Sequence, residues 1–175
     1  MLSLGNLRAK KGDCILRFED LLEWCDEMCL IAIPLRAFAS SRGKNLNHAK
    51  TRRREEEDCL RQLRVKNSHL YIGASMHRTG ADKRNLAALK ALSAQTNIPL
   101  IATNDALYAT AADRPFHDIL TCIREKVAIQ EAGTRLAANG ERYLKSPAEM
   151  ARLFADAPQA IAATAELFNA INFTL

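Results

Sequence analysis

Three short apolar runs separated by helix-forming sequence constrain the fold of this chain most strongly. The runs are residues 29–33 (CLIAI), 69–74 (HLYIGA) and 99–102 (PLIA). Runs of this length that are uniformly apolar, rather than alternating, are typical of strands buried in a parallel sheet. The segments between them, residues 45–65 and 81–96, have the length and composition of helices. The alternating order predicts an α/β fold with parallel strands.

The helix predicted to start near Pro115 has two distinct faces. Its apolar residues recur at helical spacing and predict a face that packs inward; they are Phe116, Ile119, Leu120 and Ile123. The opposite face is polar and carries Asp113, His117, Thr121 and Arg124.

The pattern changes after residue 126, so we expect an α/β part over residues 1–126 and a helical C-terminal segment over residues 127–175. Ser146-Pro147-Ala148-Glu149 has an N-cap serine, a proline at the first helical position and a glutamate at the third. This combination predicts a helix start. Residues 1–11 resemble the end of a helix, which suggests that further sequence precedes them.

Composition favours a protein of the cytoplasm. The chain has 175 residues, of which 48% are hydrophobic, and a formal net charge of +5. No stretch approaches the ~20 apolar residues of a membrane span. Five cysteines form no Cys-x-x-Cys pair, and an odd number of thiols suits a reducing compartment better than a disulfide framework.

Residues 36–54 hold seven basic residues and no acidic one. Such a segment can bind phosphate groups. Candidate contacts to nucleic acid or to a partner protein are therefore Arg52, Arg53 and Arg54. The alternative is a solvated helix, because arginines and glutamates follow one another at helical spacing between residues 52 and 61.

Three motifs carry a resemblance to a known family. They are IATNDALY at residues 101–108, HDILTCIREK at 117–126 and ERYLKSPAEMARLFADAPQAI at 141–161. Together they resemble the PHP domain of the bacterial DNA polymerase III alpha subunit, and they are most similar to its error-prone paralogue. The resemblance implies a part of a distorted (β/α) barrel that serves mainly as a scaffold. It also implies partners: the upstream PHP part, the palm and thumb of the polymerase, and possible contact with DNA.

The same resemblance marks a candidate metal position at Asp105, and His77 follows the preceding strand and could reach the same end of the sheet. The family can bind divalent metal, and a histidine commonly follows two residues after this aspartate. This chain has Leu107 there, and its early part lacks the family's His-x-His motifs. We therefore expect no cofactor, no tightly bound metal and no phosphoesterase activity from this chain. Asp105 should instead accept hydrogen bonds from its own turn.

His117 and Arg124 suggest a hydrogen-bonded latch to a neighbouring domain, and the alternative is an ordinary surface helix. Two rival functions also stay open. One is a metal-dependent phosphoesterase that uses Asp105 and His77. The other is a non-catalytic α/β module that binds nucleic acid or protein. Because an incomplete barrel leaves strand edges and apolar surface uncovered, we also expect possible self-association.

Overall fold

The computed structural model describes residues 2–26, 28–33 and 46–171, and for residues 46–53 it describes the backbone alone. Most of the basic segment of residues 36–54 therefore lies outside the described residues. The chain divides into two compact units. One comprises Met1–Ile72 with Leu89–Pro99, and the other comprises Gly73–Ala88 with Leu100–Leu175.

Seven helices and three strands are present in the described part of the chain. The helices are α1 (Leu2–Leu7), α2 (Phe18–Trp24), α3 (Leu46–Lys66), α4 (Asp82–Thr96), α5 (Arg114–Glu125), α6 (Pro147–Leu153) and α7 (Pro158–Ala170). The strands are β1 (Leu30–Ala32), β2 (Leu70–Ser75) and β3 (Leu100–Thr103). No described helix is both long and apolar enough to cross a membrane.

The strands form one sheet in the order β1-β2-β3. Strand β1 runs parallel to β2, with Leu30 opposite Leu70. The predicted α/β fold with parallel strands is confirmed, whereas its assignment to part of a PHP-type barrel stays a prediction. The expectation that the first strand is buried was wrong, because Ile31 is 44% exposed and Ile33 just after it is 54% exposed. Strand β1 is short and, among the described strands, lies at the edge of the sheet, where it pairs with β2.

In the first unit, Asn67 connects the end of α2 to the start of β2. Its side chain is almost fully buried. It donates hydrogen bonds to the backbone carbonyls of Cys25 and Met28, and its own carbonyl accepts one from His69 N at 2.6 Å. The preceding helix α3 contributes Leu60 and Leu63 to the core.

In the second unit, α7 packs against β3. The Thr164 hydroxyl accepts a hydrogen bond from Ala102 N at 3.0 Å and lies 3.0 Å from Ala102 O. A helix side chain therefore satisfies backbone groups that another strand would otherwise bind. Phe154 and Ala160 are fully buried on the adjoining surface.

Helix α5 has the opposite orientation to the one predicted. Its four apolar side chains are exposed to solvent, at 69% for Phe116, 49% for Ile119, 63% for Leu120 and 68% for Ile123. Thr121 and Cys122 are buried instead. Helical spacing identified the apolar face correctly, but it cannot tell which face the surrounding chain covers. The ring contact of His117 with Tyr108 and the hydrogen bond from Arg114 to the Ala137 carbonyl, described below, lie on the covered face.

Candidate functional site at the carboxyl ends of two strands

The candidate site lies after β2 and β3, within the second unit. Both strands are followed by turns that contain a residue in the left-handed backbone region: Arg78 with φ of 51° and Asp105 with φ of 47°. Non-glycine residues rarely adopt this conformation, although aspartate tolerates it better than most. The turns bring His77 and Asp105 together, with 3.3 Å between His77 Nε2 and Asp105 Oδ2. Sequence analysis proposed these two residues for the same end of the sheet, and they do meet.

Arg142 binds the other oxygen of the Asp105 carboxylate. Its Nη2 donates to Asp105 Oδ1 at 2.7 Å, and its Nε donates to the Asp105 backbone carbonyl at 3.1 Å. The Asp105 side chain is 43% exposed and that of Arg142 is 31% exposed. The expectation that Asp105 accepts hydrogen bonds from its own turn was wrong, since the donor lies 37 positions further along the chain.

The segment of residues 139–145, here called the strap, holds both turns. Asn139 donates to the backbone carbonyl of His77 at 2.6 Å. Glu141 accepts from Arg78 at 3.4 Å. Lys145 is almost completely buried, donates to the Glu141 backbone carbonyl and lies 3.8 Å from the Glu141 carboxylate. A buried ammonium needs such partners, because an isolated charge away from water is costly.

The donors around Asp105 do not fit a metal centre. Zinc sites that retain their metal usually have three or four protein ligands. Here one carboxylate oxygen of Asp105 accepts from Arg142, and among the described side chains His77 is the histidine beside it. Within the described residues, no three His, Cys, Asp or Glu side chains lie close enough to hold a metal ion together.

The strap continues into α6 through a hydrogen bond between Tyr143 and Glu149. The Tyr143 hydroxyl donates to Glu149 Oε1 at 2.6 Å, while Ser146 caps the helix by accepting from Glu149 N at 3.3 Å. The bond from Tyr143 lowers the pKa of the Glu149 carboxyl, because it stabilises the ionised form. The same bond raises the pKa of Tyr143, since losing its proton would place two negative charges together.

His117 faces inward from α5. Its ring lies against Tyr108, with 5.9 Å between the ring centroids. Next to it, Asp118 pairs with Arg114 at 3.5 Å, and Arg114 also donates to the backbone carbonyl of Ala137 at 2.9 Å. Arg124, by contrast, is exposed and lies 3.5 Å from Glu125. The predicted latch residues therefore lie in different surroundings, and their role stays a prediction.

The three basic candidates lie on α3, whose residues 46–53 are described by their backbone alone. Arg54 is exposed on α3, whereas the side chains of Arg52 and Arg53 lie outside the described residues. Their predicted contact with nucleic acid or protein stays a prediction.

Sequence reasoning missed Arg142, Asn139 and Lys145. Asn139-Gly140 is a turn signal that marks a loop, but it does not reveal what the loop contacts. For Lys145 the available clue was its alternation with Glu141 and Tyr143, because side chains two positions apart share a face of an extended segment. Residues 142–144 are indeed extended enough for Tyr143 to form a parallel bridge with Tyr108.

Comparison with known proteins gives matches over the whole chain. The chain is 42% identical over 180 aligned residues to the error-prone DNA polymerase of Sinorhizobium medicae and 43% identical over 179 to error-prone DNA polymerase 1 of Rhizobium meliloti. It is 38% identical over 175 residues to the error-prone DNA polymerase of Caulobacter vibrioides. In each case the alignment covers the entire chain and 15% of the length of the relative. No family model matches the chain.

Proposed function

We propose that this chain, which corresponds over its whole length to a segment of error-prone DNA polymerases, acts as a structural part of such an enzyme. The segment is a PHP-type domain part, and it supports DNA-directed DNA synthesis from deoxynucleoside triphosphates during damage-tolerant replication and repair in the cytoplasm. The observation that carries this proposal is the similarity over the whole chain, at about 40% identity, to relatives that are all named error-prone DNA polymerase.

The geometry after β2 and β3 favours support over catalysis. In open α/β folds this end of the sheet commonly holds the ligand or the reacting groups. Here Asp105 is bound on one side by Arg142 and on the other by His77. A carboxylate held in this way joins two turns to the strap, which suits a scaffold that must keep its shape.

Detection of the native polypeptide tests the proposal. An antiserum raised against the 175 residues should recognise a polypeptide about six to seven times longer. That polypeptide, once purified, should extend a primed template, whereas the 175-residue chain alone should not. Detection of a 19.4 kDa product in the cell, without any larger polypeptide, would contradict the proposal.

The metal content of the same preparations distinguishes the scaffold proposal from the rival proposal of a metal-dependent phosphoesterase. A phosphoesterase that uses Asp105 and His77 requires a bound metal ion that is lost when either residue is replaced. The scaffold proposal requires neither the metal nor hydrolysis of a phosphate monoester.

A further inference from the structure

The exposed apolar face of α5 has no partner in the described part of the chain. Phe116, Ile119, Leu120 and Ile123 follow one another at helical spacing, and each is between 49% and 69% exposed. Single exposed apolar residues are ordinary on protein surfaces, but four on one face form a continuous patch. An amphipathic helix normally turns such a face toward the core.

Contacts on the other side of α5 hold the helix in this orientation. Cys122 is buried, and its carbonyl accepts hydrogen bonds from Lys126 N and, at 3.0 Å, from Val127 N. Arg114 is fixed at the first turn by Asp118 and by the carbonyl of Ala137. Rotating the helix to bury the apolar face would expose Cys122 and break the hydrogen bond from Arg114 to the Ala137 carbonyl. The face must therefore be covered from outside the second unit or stay in water.

The size of the patch argues against a second copy of this chain as the partner. Four partly exposed side chains of this kind offer on the order of 400–500 Å² of surface, whereas a stable interface buries about 800 Å² on each partner. A small patch suffices when its partner belongs to the same polypeptide, because tethering gives an effective concentration on the order of millimolar. The relatives have about 85% of their length outside the aligned segment, since the alignment covers 15% of them.

We propose that this α5 face is the docking surface for an apolar face of the remaining polymerase chain. The proposal rests on the proposed function, because it requires that the segment belongs to a longer polypeptide. It assigns the contact to Phe116, Ile119, Leu120 and Ile123, not to the His117–Arg124 latch predicted from sequence.

Cysteine labelling of the longer polymerase tests the docking surface. Leu120→Cys is compared with Val65→Cys and Leu7→Cys, at positions that are 87% and 84% exposed on other helices or helix ends. We expect Leu120→Cys to react with a maleimide at least about tenfold more slowly than both controls in the native enzyme and equally fast after denaturation, because thiol reactivity follows access. Mapping the modified peptides separates these thiols from the five native cysteines.

A second variant measures the energetic consequence. Phe116→Ser with Leu120→Ser should lower the melting temperature of the polymerase, whereas Val65→Ser should leave it unchanged. Equal labelling of Leu120→Cys and the controls, or no change in melting with the double variant, would overturn the docking surface. So would protection of Leu120→Cys that appears only as protein concentration rises, which indicates a second copy. Failure of the proposed function gives a different result from failure of the docking surface, because in that case the segment is not found in any polypeptide longer than 175 residues.

Discussion

Arg142 donates one hydrogen bond to the Asp105 carboxylate and another to the Asp105 backbone carbonyl. The pair fixes both the side chain and the left-handed turn after β3. Because the residues are 37 positions apart, the contact also fixes the strap against the sheet. The position that the resemblance assigns to a metal ligand is thus a structural junction.

Replacement of Asp105 by Asn should cost about 1 kcal/mol of unfolding free energy, because one charged hydrogen bond is weakened in a partly exposed site. Asparagine tolerates the left-handed backbone, so strain adds little. Arg142→Gln should cost a similar amount. Urea unfolding of both single variants and the double variant should give a coupling energy of about 0.5–1.5 kcal/mol. Additive effects would show that the two side chains do not interact.

Tyr143→Phe should destabilise the protein in a pH-dependent manner. The pKa of Glu149 is lowered from its usual value of 4.5, so the stabilisation is present above that pH and is lost as the pH falls. The pKa of Tyr143 is raised from 10.0, so its contribution is present below that pH and is lost as the pH rises through the shifted value. Melting curves should therefore differ most near pH 7 and converge in acid. A difference that is constant from pH 3 to pH 8 would contradict the assignment.

Asn67→Ala should be strongly destabilising, by about 2–3 kcal/mol, because two buried backbone carbonyls lose their donor. The exposed Asn169 on α7 provides the matched control, since Asn169→Ala removes the same amide from a solvated position. Chemical denaturation measures both. Equal effects of the two substitutions would mean that the buried contacts contribute nothing.

Thr164→Val should lower the free energy of unfolding by about 1–2 kcal/mol. The substitution removes the hydroxyl that accepts the hydrogen bond from Ala102 N in β3. Thr164→Ser keeps the hydroxyl and should stay near the parent stability. If valine and serine behave alike in thermal melting, the hydroxyl does not support the strand.

The sequence predicted the strands and the long helices well because their patterns are local. Apolar runs located β2 and β3 within one residue, and the helix predicted over residues 81–96 is α4. The orientation of α5 could not be predicted, since helical periodicity separates two faces without specifying which one packs. Likewise, Asp105 was recognisable as a strand-end residue, but its partner Arg142 lies in a loop whose path depends on tertiary contacts.

The rate of primer extension by the longer polymerase carrying Asp105→Asn tests the scaffold account most directly. The account predicts a rate within about twofold of the parent enzyme, because Asp105 connects structural segments and takes no part in nucleotidyl transfer. His77→Gln serves as a second variant at the same junction and should behave in the same way. A loss of more than about tenfold in either variant, with an unchanged melting temperature, would show that this site takes part in the reaction and would contradict the account.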